Sequence, residues 1–269
     1  MIYVDAHHHL WDTDTREYAW MDGPWADPIR GRFDIARYAA ADEVEASIVV
    51  QAVMDESETL ELLAGCAAPV AGVVGWTDLT APDVAERLAA LRSAGPLVGI
   101  RHQVQDEPDP EWLTRPPVVR GIAAVGAAGL VYDLLVKPAQ AAAALDVARR
   151  LPEVSFVLDH AGKPDIAGGM WEPWATWITD LAALPNVTVK LSGLVTEAGP
   201  DWKPGEILPY ARHVLSAFGP SRTMYGSDWP VCTLAATPEQ VRTLAEEALS
   251  PGDRFEVLGA TARRTYGLG

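Results

Sequence analysis

Eight short apolar runs, each followed by a helix-like stretch, constrain this chain more than any other feature. They are residues 2–6, Ser47–Val53, Val70–Trp76, Leu97–His102, Gly129–Leu135, Val154–His160, Val187–Ser192 and Thr223–Asp228. A strand with one wet face alternates apolar and polar residues. These runs are nearly all apolar, as parallel strands covered on both faces must be. Between the third and fourth, Thr80 offers a helix cap, Pro82 and Asp83 suit a first turn, and Val84, Leu88 and Leu91 make an apolar stripe. Thr237-Pro238-Glu239-Gln240 carries the capping-box pattern and predicts a helix to about Ser250. Strand and helix in strict succession, with no low-complexity linker, predict one α/β domain over residues 1–269, a closed (β/α)8 TIM barrel, with an open doubly wound sheet as the alternative.

Barrel sites lie at the carboxyl ends of the strands, and the ionisable residues of the runs gather there. His7 and His9 follow the first run, Arg101 and His102 end the fourth, His160 ends the sixth, Lys190 and Ser192 lie late in the seventh, and Asp228 ends the eighth. Buried charges are costly unless paired or functional, so this convergence marks a candidate site. In Asp5-Ala6-His7-His8-His9 the alternation of a strand sends His7 and His9 one way and His8 the other, which makes His8 structural. The loops beyond the first and sixth runs carry Trp11, Tyr18, Trp20, Trp25, Trp171 and Trp174, candidates for a pocket wall or merely for rim cover.

With 37 acidic against 21 basic residues the net charge is −16, the reverse of a phosphate-binding surface, and nucleic acid is excluded as a partner. No apolar run approaches the ~20 residues that span a bilayer, so no membrane association is expected. Two cysteines, Cys66 and Cys232, cannot form a disulfide framework, and a cytoplasmic protein is expected. Cys232 is read as small apolar filler.

Val4-Asp5-Ala6-His7-His8-His9-Leu10-Trp11-Asp12, Gly99-Ile100-Arg101-His102, Leu158-Asp159-His160-Ala161-Gly162-Lys163-Pro164, Val189-Lys190-Leu191-Ser192-Gly193-Leu194 and Tyr225-Gly226-Ser227-Asp228-Trp229-Pro230-Val231 resemble, in order, motifs of the amidohydrolase superfamily. More narrowly, they resemble its branch of sugar lactonases and 2-pyrone-4,6-dicarboxylate lactonase. The resemblance implies a hydrolase opening a small lactone, such as L-fuconolactone or L-rhamnonolactone, with His7, His9, His160 and Asp228 around the reacting carbonyl. Binuclear members also use a strand-four lysine and a further histidine. Neither is found in the expected place, which argues against a two-metal centre.

On this reading Asp228 is the general base, against a structural carboxylate that ties down backbone amides. His160 orients it or polarises the carbonyl, against a histidine satisfied within the core. His7, His9, His160 and Asp228 either hold one zinc-like divalent ion or, without metal, His7 and His9 donate to the carbonyl oxygen. Arg101 and Lys190 bind substrate, against a buried ion pair with Asp133 or Asp159. His102 is a weaker binding candidate, and Trp11 and Trp229 stack on a sugar ring. Two further readings stay open: a metal-dependent decarboxylase of an aromatic or muconate-type acid, and a non-catalytic small-molecule-binding barrel.

Overall fold

The computed structural model describes residues 3–41 and 43–269, so Ile2 of the first run lies outside the described residues. Eight parallel strands form one sheet in chain order: β1 (Val4–His8), β2 (Ala46–Val50), β3 (Val70–Gly75), β4 (Leu97–His102), β5 (Val131–Leu134), β6 (Phe156–Leu158), β7 (Val187–Leu191) and β8 (Thr223–Tyr225). The first and last strands meet at their carboxyl ends, where His9 N–H donates to the Trp229 carbonyl at 2.7 Å and Asp228 N–H to the His7 carbonyl at 2.8 Å. The Asp5 carboxyl reinforces this seam, accepting from Ser227 N–H at 2.8 Å, Ser227 Oγ–H at 2.5 Å and the Tyr38 hydroxyl at 2.9 Å. The result is the (β/α)8 barrel, with α-helices packed outside it.

Alternation sorts the strand residues into two apolar layers. Val4, Ala6, Ile48, Val50, Val74, Val131, Val157 and Met224 pack together inside the barrel, closed below by Ala262 and Tyr266 of the last helix, Thr261–Tyr266. Val49, Val73, Ile100, Tyr132, Phe156, Leu158, Val189 and Tyr225 face outward against the helices. β1 breaks this rule once. Its register against β2 shifts between Asp5 and His8. Such a bulge re-aims the residues that follow it. Ala6 faces the interior, and His7 after it also reaches the interior, whereas His8 stacks outside on Tyr38 at 3.8 Å and bonds Ser47 Oγ at 3.0 Å.

The Thr237 capping box forms as predicted, with Gln240 N–H donating to Thr237 Oγ1 and Thr237 N–H to Gln240 Oε1, and the helix runs Pro238–Ala248. Thr80 does not cap the helix after β3. Its N–H and hydroxyl both bond Asp78, and the helix begins at Val84 behind Asp83. Among the described residues no helix is long and apolar enough to cross a membrane.

Candidate active site

The predicted strands six, seven and eight run too long. β6 stops at Leu158, β7 at Leu191 and β8 at Tyr225, and His160, Ser192 and Asp228 stand in the tight segments beyond them. His160 and Asp228 have left-handed backbone, φ 53° and 59°. Left-handed non-glycine residues carry strain that persists where surrounding contacts fix them. Glycines make room for the histidines: a Cβ on Gly226 would lie 2.7 Å from the His7 Cβ, and one on Gly193 2.6 Å from His160 Nδ1.

His7, His9, Arg101, His160 and Asp228 are all buried at this end of the barrel. His7 Nε2 and His9 Nε2 are 3.2 Å apart, and Asp228 Oδ1 lies 3.8 Å from the former and 3.5 Å from the latter. His9 Nδ1 meets the Val50 carbonyl at 2.7 Å, which fixes the proton on Nδ1 and leaves Nε2 bare. The rings of His7 and His160 are 4.4 Å apart, and His160 Nδ1 meets Ser192 Oγ at 3.0 Å. Burial pushes all three histidines below their ordinary value, His160 to about 4, so each is neutral near pH 7. Burial alone would raise the Asp228 carboxyl, but His160 and His9 outweigh it and hold the group below the usual carboxylate range. An ionised carboxylate thus stands beside neutral imidazoles.

Beneath them runs a buried ion network. Arg101 Nη1 bonds Asp159 Oδ2 at 3.0 Å, Lys190 Nζ lies 3.0 Å from Asp159 Oδ1 and 2.5 Å from Asp133 Oδ2, and the Tyr266 hydroxyl donates to Asp133 at 2.9 Å. Asp159 also lies 3.3 Å from His7 Nδ1, and despite its burial Lys190 and His7 hold it well below the usual range. Arg101 Nη2 donates to the Gln51 carbonyl at 2.5 Å, while among the described residues its Nε–H has no partner.

A cavity of about 390 Å³ opens above this floor, lined by His9, Arg101, His160 and Asp228. Four further residues expected to bind substrate do not line this cavity. Lys190 is completely buried in the ion network, the outcome foreseen as its structural alternative. His102 turns away from Arg101, as alternation requires, pairing with Glu107 at 2.8 Å and stacking on Trp112 at 4.0 Å. Trp11 is buried, with its indole N–H on the Ile29 carbonyl, and Trp229 is buried against Phe33 and Tyr38, and neither lines this cavity. The tryptophans that do line the cavity are Trp20 and Trp25 of the loop after β1, whereas Trp174 packs on Tyr210 and His213 outside it. Lys163, Glu197 and Gln103 also line it. No role is predicted for them from sequence, although Lys163 stands inside the Asp-His-Ala-Gly-Lys motif. A second cavity of about 410 Å³, between the loop after β1 and the helix Glu56–Ala64, contains none of the convergent histidines or Asp228.

The spacing of His7, His9 and Asp228 fits a divalent ion. Ligands held about 2.0–2.2 Å from a tetrahedral zinc stand about 3.3–3.6 Å apart, close to the three separations here. The bare His9 Nε2 faces His7 Nε2 at 3.2 Å and the Asp228 carboxylate at 3.5 Å, while Arg101 Nη1 approaches His7 Nε2 at 3.4 Å. His160, expected as a fourth ligand, groups instead with His7 and Asp159.

The sequence profile of the amidohydrolase family matches residues 4–268. An L-fucono-1,5-lactonase of Burkholderia multivorans is 40% identical, covering 98% of this chain and 96% of its own. An L-fucono-1,5-lactonase of Burkholderia ambifaria is 38% identical over 98% and 94%. A crystal structure of an amidohydrolase from Burkholderia multivorans with bound zinc superposes with a TM-score of 0.91 at 39% identity, covering the whole of both chains.

Proposed function

The chain belongs to the amidohydrolase family, and on that premise we propose that it hydrolyses a sugar-acid lactone, L-fucono-1,5-lactone first among candidates, by adding water to the ester carbonyl. One observation carries the reading: an ionised carboxylate, Asp228, and neutral His9 and His160 converge on a cavity of about 390 Å³ in a chain so similar to two lactonases. That volume suits one small ring rather than a polymer.

Lactone opening requires a nucleophilic water, a stabiliser for the oxyanion and a proton for the departing alkoxide. Asp228 takes the proton of the attacking water as the new C–O bond forms. It returns that proton to the ring oxygen as the ester C–O bond breaks, leaving an open-chain hydroxy acid. Arg101, with an unpartnered buried N–H, stabilises the negative charge on the carbonyl oxygen. His160, anchored through Nδ1 on Ser192, presents a neutral ring to the same cavity, where it polarises the carbonyl. The Arg101–Asp159–Lys190–Asp133 network orients His7 from below.

A divalent ion, where bound, would be held by His7, His9 and Asp228 and would supply Lewis-acid polarisation and acidification of water. His9 Nδ1–H on the Val50 carbonyl and His7 Nδ1 beside Asp159 are the outer partners such ligands require.

The test is acid release, followed with a pH indicator, from L-fucono-1,5-lactone and L-rhamnonolactone. Wild type should exceed Asp228→Asn by about 10²- to 10⁴-fold, the typical cost of losing a general base. Equal rates for the two proteins on both lactones overturn the reading.

A further inference from the structure

His160, Ala161, Gly162 and Lys163 form a run of left-handed backbone, φ 53°, 50°, 71° and 51°. L-residues visit this region singly, because Cβ then crowds the following carbonyl. Tertiary contacts hold the run in place. Lys163 N–H donates to the His160 carbonyl at 2.9 Å, Trp174 Nε1–H donates to the Ala161 carbonyl at 2.8 Å, and Trp177 leaves no space for a Cβ on Gly162. The conformation brings two polar side chains three positions apart, His160 and Lys163, to the lining of one cavity.

Glu197 reaches the same cavity from the short helix Leu194–Ala198 after β7. Its backbone is clipped to the Lys163 loop, since Ala167 N–H donates to the Glu197 carbonyl at 3.0 Å. Lys163 Nζ and Glu197 Oε1 are 3.7 Å apart, and the side chains are only 21% and 27% exposed. That distance is too long for a direct hydrogen bond, so both charged heads keep bonding capacity inside the cavity. A lone lysine would favour an anionic ligand. A cation and an anion side by side have no net charge and offer donors next to acceptors, which suits neutral hydroxyl groups that both give and accept. Trp20, Trp25, Val231 and Leu234 of the same cavity offer apolar surface to ring C–H groups.

We propose that Lys163 and Glu197 are the specificity pair that binds the hydroxyl groups of the lactone ring, Lys163 donating and Glu197 accepting. The inference rests on the reading of this cavity as that of a sugar-lactone hydrolase. It concerns which lactones are chosen, whereas Asp228 concerns whether any is opened.

The experiment compares Lys163→Met and Glu197→Gln with wild type on two six-membered lactones, L-fucono-1,5-lactone and unsubstituted δ-valerolactone. Losing a hydrogen bond to a charged group should lower kcat/KM on the hydroxylated lactone about 10- to 100-fold, mainly through KM. The fall should be at least about tenfold greater than on δ-valerolactone, a ratio that a general loss of folding cannot produce. Equal falls on both lactones, or no fall on either, overturn the pair as a specificity device while leaving lactone hydrolysis standing. A wild type that turns over neither of these lactones nor L-rhamnonolactone overturns the lactonase reading itself, and the pair with it.

Discussion

The Nε2 atoms of His7 and His9 face each other at 3.2 Å, both rings buried and neutral, with the Asp228 carboxylate 3.5 Å from His9. Dialysis of purified protein against a chelator followed by titration with zinc should therefore show about one equivalent bound per chain. At zinc 100-fold above its dissociation constant, folding should gain about 2.7 kcal/mol, read as a rise in Tm. His9→Ala should abolish both the stoichiometric binding and the rise. Unchanged zinc uptake by that variant would remove these residues from the metal site.

The pH profile should be unusual for a site so rich in histidine. His160 is held near 4 by burial and Asp228 below the ordinary carboxylate value, so the working forms, neutral imidazole and ionised carboxylate, coexist down to mildly acidic pH. The expected profile of kcat/KM has no acid limb near 6.5 and falls only as pH drops towards 4. A limb at the ordinary histidine value would show that the working histidine is more hydrated than this geometry makes it.

Glu58 gives a stability signal with a definite sign. It is 2% exposed, its Oε2 accepts from Ala52 and Val53 N–H at 2.9 and 3.2 Å, and burial raises it from an ordinary 4.5 to about 7. Between those values folded Glu58 keeps a proton that it has lost in the unfolded chain, so its contribution to stability falls as pH rises from 4.5 through 7. Glu58→Gln should remove that dependence and raise stability at pH 8 by on the order of 2–3 kcal/mol, measured by denaturant unfolding. No change in the pH dependence would place the Glu58 titration elsewhere.

Lys190 lies 2.5 Å from Asp133 and 3.0 Å from Asp159 with no solvent access. Lys190→Met leaves both carboxylates short of a cation and should cost roughly 3–5 kcal/mol. Adding Asp133→Asn to it should recover part of that loss, because the uncompensated charge is then gone. If the two substitutions prove additive in a double-mutant cycle, the residues are not coupled and the network is not one unit.

Much of this was legible in the chain. Eight apolar runs foretell eight strands, and the carboxyl-end rule of barrels picks out His7, His9, Arg101, His160 and Asp228, all of which converge. Which neighbours share that space was not legible. Trp11 and Trp229 flank the right residues in sequence yet are spent on the outer core, and Trp20 and Trp25 take the cavity, because their loop folds back over the barrel end. Lys163 was hidden because a tripeptide spacing from His160 directs two side chains to one cavity only in left-handed backbone, which no periodicity announces.

The sequence by itself determines the architecture, since the alternation of apolar runs with amphipathic helices leaves few ways to bury that surface. The aim of individual side chains is decided in the tertiary structure. Unbroken alternation along β1 would send His7 outward with Asp5. A register shift imposed by pairing with β2, together with the Asp228 N–H bond to the His7 carbonyl across the seam, turns it inward instead. Contacts between residues more than two hundred positions apart thus complete a site whose parts the chain lists but does not orient.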